Sequence, residues 1–115
     1  MMNILLADDQ MRVRFALRVL LEQRPNWKVV GEASEAAELL DQATQGDLDL
    51  VLVDGELPGL RDGDLERLRA RCPRVQIVVF GDEDQPGIGL EADALASKAN
   101  PPEELLDTLA RCVGQ

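Results

Sequence analysis

The sequence predicts an α/β fold, a single doubly wound parallel sheet of five strands with helices on both faces. Two observations predict it. Short, largely apolar runs recur at residues 3–7, 48–53 and 75–80, and runs of this kind mark strands buried on both faces. Between them stand stretches with apolar residues three and four apart, the stripe of an amphipathic helix. Strand and helix in alternation require parallel pairing through right-handed crossovers, and hence three layers. With 115 residues and no linker, repeat or low-complexity segment, one domain is expected to fill residues 1–115.

The elements follow in order. The first strand stops abruptly at Asp8-Asp9. Residues 10–24 then place Val13, Ala16, Leu17, Leu20 and Leu21 on one stripe, and Pro25 is expected to end that helix. Trp27 to Val30 forms the second strand, closed by Gly31. Ser34 is placed as the N-cap of the second helix, with Glu35 at its positive end; Ala36, Ala37, Leu39, Leu40 and Ala43 follow, and Gly46 stops it. The third strand ends at Asp54 and leads into Gly55-Glu-Leu-Pro-Gly59, a tight loop. Asp62 or Asp64 is placed to cap a third helix carrying Leu65, Leu68 and Cys72, ended by Pro73. The fourth strand covers residues 75–80, and residues 92–96 make a weaker fifth. Between these two, Gln85-Pro-Gly-Ile-Gly-Leu90 is poor helix material, so the fourth helix is expected to be short or distorted. Pro101, Pro102, Glu103 and Glu104 open the last helix, with proline in the first turn and acids at the positive dipole end.

Composition excludes whole classes of function. The net charge of −10 argues against contact of this domain with nucleic acid or an anionic membrane, which needs a basic face. The chain has no histidine, which removes histidine triads, histidine-ligated zinc and any phosphohistidine carrier role. Cys72 and Cys112 form no CxxC pair and are expected as semi-buried thiols near helix ends in a reducing compartment. No basic-then-apolar leader and no stretch of membrane-spanning length is found, so a cytoplasmic location is expected.

Chemistry collects at the carboxyl ends of parallel strands, and there the chain places Asp8, Asp9 and Asp54, with Glu56 two residues on. If the first and third strands are neighbours, three carboxylates converge in one crevice. Like charges so close raise one another's pKa unless a cation joins them. An all-oxygen, water-accessible cluster suits Mg²⁺, which binds through one or two carboxylates, waters and phosphate oxygens. Such a site handles a phosphoryl group.

These residues, taken with Leu57-Pro58, Gly63 and Lys98 after the fifth strand, resemble the receiver domain of two-component response regulators, the CheY-like, flavodoxin-type fold. The match runs from end to end. Ile77-Val-Val-Phe80 and Lys98-Ala-Asn-Pro-Pro-Glu-Glu-Leu-Leu106 are most similar to the NarL/FixJ-type branch, whose members usually carry a helix-turn-helix output domain. The chain is accordingly expected to be either a stand-alone receiver or the receiver part of a longer protein. The resemblance implies that Asp54 accepts a phosphoryl group from a histidine kinase, that Asp9 ligates Mg²⁺ directly and Asp8 largely through water, and that the backbone carbonyl of Glu56 supplies a further ligand. It implies that Lys98 pairs with Asp54 and then with a phosphoryl oxygen. A homodimer partner, or an output domain in the full-length protein, is a further expectation.

Three departures from the family pattern fall together. The end of the fourth strand normally carries Ser or Thr, where this chain has Gly81, followed by Asp82, Glu83 and Asp84. The aromatic residue usual on the fifth strand is replaced by Leu95, and the chain has no tyrosine. The segment between Gly81 and Lys98 is also shorter than usual. Metal binding and phosphate acceptance are thus expected to be retained, while the usual relay from phosphoryl group to output surface is not. The alternative is a phosphorylation-independent receiver that serves as a docking or dimerisation module. A turnover enzyme is disfavoured: a haloacid-dehalogenase-type phosphatase needs a second Asp where Glu56 stands, and a flavodoxin's phosphate loop would not begin Asp8-Asp9.

Overall fold

The computed structural model describes residues 1–44, 47–81, 92–98 and 100–114. Five strands, β1 (Met2–Ala7), β2 (Trp27–Ala33), β3 (Leu50–Asp54), β4 (Gln76–Gly81) and β5 (Ala94–Ser97), form one sheet in the order β2-β1-β3-β4-β5. Every pairing is parallel. The helices are α1 (Met11–Leu21), α2 (Ala36–Gln42), α3 (Asp64–Arg71) and, as the fourth helix among the described residues, α4 (Pro102–Cys112). The expected doubly wound architecture is what the chain adopts. The short or distorted helix expected between β4 and β5, and the acids Asp82, Glu83 and Asp84, lie outside the described residues.

Strand parity builds two cores. Leu5, Ala7, Val51, Val53, Ile77 and Val79 pack against Leu39 of α2 and Leu65 and Leu68 of α3. Their neighbours Ile4, Leu6, Leu50, Leu52 and Val78 pack on the opposite face against Leu17 and Leu21 of α1 and Leu105 and Leu109 of α4. Successive side chains of a strand point to opposite faces, so covering both makes β3 apolar until Asp54, its last residue. Asp54 continues the parity of Leu50 and Leu52, and Asp8 the parity of Ile4 and Leu6. Both acids therefore emerge at the carboxyl edge on the α1/α4 side.

Several boundaries differ from the sequence reading. The first helix ends at Leu21 rather than beside Pro25, because Gln23 and Arg24 already donate to carbonyls three residues back and Asn26, at φ 69°, turns the chain into β2. Gly31 does not close β2. The register slips between Ile4 and Leu5, which pair with Val29 and Gly31, and the strand runs on to Ala33. A Cβ at Gly31 would meet the end of the Gln42 side chain, which would have to shift to make room. Ser34 does not cap α2: its hydroxyl donates to Glu38, Glu35 is the N-cap, and the Ala36 N–H finds the Pro58 carbonyl at 2.9 Å. Gly46, the expected stop, lies outside the described residues. Neither Asp62 nor Asp64 caps α3. Gly63 does so at φ 90°, a left-handed conformation that favours glycine, while the buried Asp64 folds back onto the Arg61 N–H and Arg67. Cys72 and Cys112 are free thiols at the ends of α3 and α4, and burial pushes both above the ordinary thiol range.

Glu32 of β2 is clamped by two residues of α1. Arg14 Nε lies 2.8 Å from Oε1, and Arg18 Nη2 holds Oε2. The Arg18 side chain leads the causes that hold the Glu32 carboxyl below its ordinary 4.5, with Arg14 adding to it. A carboxyl with a lowered folded pKa contributes stability above its unfolded pKa and loses it as pH falls through the folded one. Glu32→Gln is expected to cost about 1 kcal/mol at neutral pH, a figure already reduced for partial solvent screening, and nothing in strong acid. Urea unfolding of parent and variant at the two pH values checks this.

Candidate functional site

The parallel topology sends every strand's carboxyl end to one edge, and the central pair β1 and β3 puts Asp8 beside Asp54 there. Asp8, Asp9 and Asp54 each offer a carboxylate oxygen, and these lie within 4.8 Å of one another. Asp8 and Asp54 are only 2% and 5% exposed, whereas Asp9 is open to solvent. Lys98 arrives from the end of β5, on the far side of β4. Its N–H donates to the Gly81 carbonyl at 3.1 Å, extending the β4–β5 ladder by one step and bringing the side chain over the crevice. Lys98 Nζ donates to Asp54 Oδ2 at 3.1 Å and stands 3.8 Å from Asp8 Oδ2. Its ammonium also lies 5.6 Å from the centre of the Phe80 ring, a cation–π distance.

Local hydrogen bonds fix the acids. Asp8 Oδ1 accepts the Gln10 N–H at 2.8 Å, and Asp54 Oδ1 accepts the Glu56 N–H at 2.9 Å. The Leu57 N–H donates to the Asp54 carbonyl, and buried Leu57 pins the loop into the α2/α3 core. These bonds leave one exception. Asp8 Oδ2 is buried with no hydrogen-bond partner among the described residues, its nearest cation being Lys98 at ion-pair distance. An orphaned anionic oxygen facing two further carboxylates fits a hard cation, and an all-oxygen donor set fits Mg²⁺.

The sequence-predicted residues thus converge in part. Asp8, Asp9, Asp54 and Lys98 form one cluster. Glu56 is exposed on the adjoining loop. Gly81 ends β4 beside the site, and among the described residues a Cβ built on it meets the Gly55 nitrogen, at 3.7 Å. Leu95 stands apart on β5, 63% exposed. Sequence reading missed Arg14, whose Nη1 donates to the Asp8 carbonyl at 2.6 Å, and the ring of Phe80 beneath Lys98. Arg14 carried no signal, since the carbonyl it serves is six residues back and its acidic partner lies on another strand.

Comparison with known proteins places this geometry. The model of the response regulator receiver domain matches residues 4–110, and the chain belongs to that family. Among relatives, it is 35% identical over 113 residues to the nitrate/nitrite response regulator protein NarL of Escherichia coli (strain K12), covering 93% of this chain and 52% of NarL. It is 33% identical over 116 residues to the transcriptional activator protein ExaE of Pseudomonas putida, covering 96% of this chain and 54% of ExaE. The chain spans about half the length of these curated relatives. Among solved structures, a two-component response regulator of the LuxR family from Aurantimonas sp. SI85-9A1 superimposes with a TM-score of 0.85 at 28% identity, covering 98% of this chain and 86% of the other. The response regulator domain of Thermotoga maritima CheB shares the fold, with a TM-score of 0.83 at 20% identity over 99% and 97% of the two chains.

The Asp8 carboxyl carries the electrostatic load of the cluster. Burial foremost pushes it above its ordinary 3.8; the Gln10 N–H pulls it down, the Asp54 carboxylate pushes it up again, and Lys98 opposes that. A carboxyl with a raised folded pKa favours folding below its unfolded value and gives that contribution up as pH rises through the folded one. Asp8→Asn is therefore expected to stabilise the metal-free protein at neutral pH by about 1 kcal/mol, with no gain in strong acid. It is also expected to remove any stabilisation by added Mg²⁺. Urea unfolding with and without Mg²⁺ checks both; equal stability of parent and variant at neutral pH contradicts the burial argument.

Proposed function

We propose that residues 1–115 form a receiver domain that accepts a phosphoryl group from the phosphohistidine of a histidine kinase onto Asp54, in a Mg²⁺-dependent reaction. The observation that carries this reading is the pairing of Lys98 with Asp54 Oδ2 beside the carboxylates of Asp8 and Asp9. A carboxylate oxygen of Asp54 forms the new O–P bond as the P–N bond of the donor breaks; the departing imidazole keeps the electron pair and takes up a proton. Lys98 holds the nucleophile in place beforehand and neutralises phosphoryl oxygens afterwards, so positioning and charge do most of the work. Asp8, Asp9 and Asp54, with the Glu56 backbone carbonyl, would hold Mg²⁺, which offsets the negative charge that builds on the transferring group. The domain is a self-modifying acceptor and not a turnover enzyme.

Partner and location follow from the same reading. On the outer side of α1, Met11, Phe15 and Val19 expose an apolar stripe at helical spacing. Beside it runs a groove of about 580 Å³ lined by Val13, Ala16, Leu17, Leu20, Phe80 and Leu105, with Lys98 at its margin. An apolar patch bordering the phosphate site suits a protein partner, here the kinase or a second copy of the chain. The net charge of −10 disfavours nucleic-acid contact by this domain, so any such contact would belong to an output domain if a longer protein carries one. No helix among the described residues is long and apolar enough to cross a membrane, and a cytoplasmic site of action is proposed. Gly81 and Leu95 stand as atypical switch positions, which favours output coupling of an unusual kind.

Intact mass after incubation with Mg²⁺ and acetyl phosphate tests the acceptor. The parent is expected to gain one phosphoryl group and Asp54→Asn none. Equal gain by both moves the acceptor elsewhere, and no gain by either, or from a kinase, favours the phosphorylation-independent docking module. Gly81→Thr is expected to speed phosphorylation or lengthen the lifetime of the phosphoryl group. Its hydroxyl adds a hydrogen bond to a charged group, worth about 1.5–3 kcal/mol in full, and among the described residues the space at Gly81 admits a Cβ. Unchanged phosphorylation and hydrolysis rates would mean that a hydroxyl here does not reach the phosphoryl group.

A further inference from the structure

We propose that Arg14 is a positioning residue for the cation site, fixing the peptide between Asp8 and Asp9 so that both carboxylates face Asp54. The proposal rests on the reading of the acidic cluster as a Mg²⁺ site. Asp8 is held from three directions. Its N–H donates to the Ala33 carbonyl at 3.0 Å, the last step of the β1–β2 ladder, and its Oδ1 accepts the Gln10 N–H. Its carbonyl lies beyond the end of the strand, and there Arg14 Nη1 takes it at 2.6 Å. That carbonyl and the Asp9 nitrogen share one rigid plane, so holding the oxygen sets the direction in which Asp9 leaves the loop. Asp9 is the exposed member of the cluster, the one whose placement burial does not settle.

Arg14 is equipped for this task. Its side chain is only 15% exposed, and Nε donates to Glu32 Oε1 at 2.8 Å while Nη1 serves Asp8. A planar guanidinium bound at two of its nitrogens has its orientation set, where a lysine ammonium would not. Glu32 is in turn held on its other oxygen by Arg18, and its backbone carbonyl accepts the Gln42 side-chain amide. The loop bearing two cation ligands is thereby tied to α1 and β2 through a single side chain. Arg18 supplies the control: it shares Glu32, and its other contact is the Val29 carbonyl, not Asp8.

The experiment titrates parent, Arg14→Ala, Arg14→Lys and Arg18→Ala with Mg²⁺ alone, following amide NMR shifts of residues 8–10 and 56, with urea unfolding recorded for each. Removing a partner that orients a metal ligand typically lowers affinity 10–100-fold, so Arg14→Ala is expected to bind Mg²⁺ about tenfold more weakly, with Arg18→Ala within about twofold of the parent. Arg14→Lys keeps the charge but not the fork and is expected to bind more weakly than the parent; it is the deciding variant if Arg14→Ala does not fold. Parental affinity in the deciding variant overturns the proposal. So does an Arg18→Ala defect as large as that of Arg14→Ala, which would mark a general loss of stability. A parent that binds no Mg²⁺ overturns the cation-site reading itself, and the proposal with it.

Discussion

Two carboxylates buried side by side, Asp8 and Asp54, are the constraint around which the rest of this molecule is arranged. Burial foremost, and the neighbouring Asp54 carboxylate, oppose ionisation of Asp8. The Lys98 ammonium, 3.1 Å from one and 3.8 Å from the other, is the cation that the chain itself supplies. One positive charge facing two buried negative ones leaves the cluster short, and the exposed Asp9 adds to the deficit. The unpartnered Oδ2 of Asp8 is where that shortage is visible as geometry. A chain selected for stability alone would not keep such a cluster at the end of its two central strands, because buried ion pairs commonly give way to apolar residues at no loss.

The sheet makes this concentration of charge possible. All-parallel pairing points every strand's carboxyl end one way, and the order β2-β1-β3-β4-β5 puts the two acid-bearing strands side by side and β4 between them and Lys98. Below the edge, Ile4, Leu6, Leu50 and Leu52 are almost wholly excluded from water, as are Leu5, Val51 and Val53 on the other face. That doubly covered core provides the apolar burial against which the cost of the site is set. Edge and core are thus continuous: the parity that buries Leu50 and Leu52 against α1 and α4 delivers Asp54 into the crevice one step later.

Much of this was legible because it is local. An apolar run that stops at a charged residue states both the strand and the position of the charge, and three such endings place Asp8 and Asp9, Asp54, and Lys98 from the sequence alone. What was not legible is what depends on partners distant in sequence. Ser34 and Asp64 carry good capping chemistry, yet Ser34 turns to Glu38, and Asp64 is taken by the Arg61 N–H and Arg67. Gly31 looks like a strand end because glycine usually weakens strands, but the β1–β2 pairing slips past it and carries the strand on to Ala33, beneath the Gln42 side chain from α2. Arg14 is the instructive miss. Its helical position is ordinary, and only the fold brings together the Asp8 carbonyl and the Glu32 carboxylate that give it a role.

The arrangement separates the proposed phosphoryl chemistry from its readout. The acids and Lys98 sit on strand ends and a loop tied down by Leu57, Gly55 and Arg14, all with contacts into the body of the fold. On the β4–β5 side, the corresponding positions offer Gly81, without a hydroxyl, and Leu95, exposed on a four-residue edge strand. A conformational change needs a differential interaction between two states, and the side chains at Gly81 and Leu95 offer no hydroxyl and no aromatic ring for one. The groove between α1 and α4 does adjoin the site directly, through Lys98 and Phe80. Phe80 contacts Lys98 on one side and the α1/α4 core on the other, so a shift of the ammonium from Asp54 toward a phosphoryl oxygen would be felt first on that face. If this receiver signals, the face between α1 and α4 is one that adjoins the site through described residues.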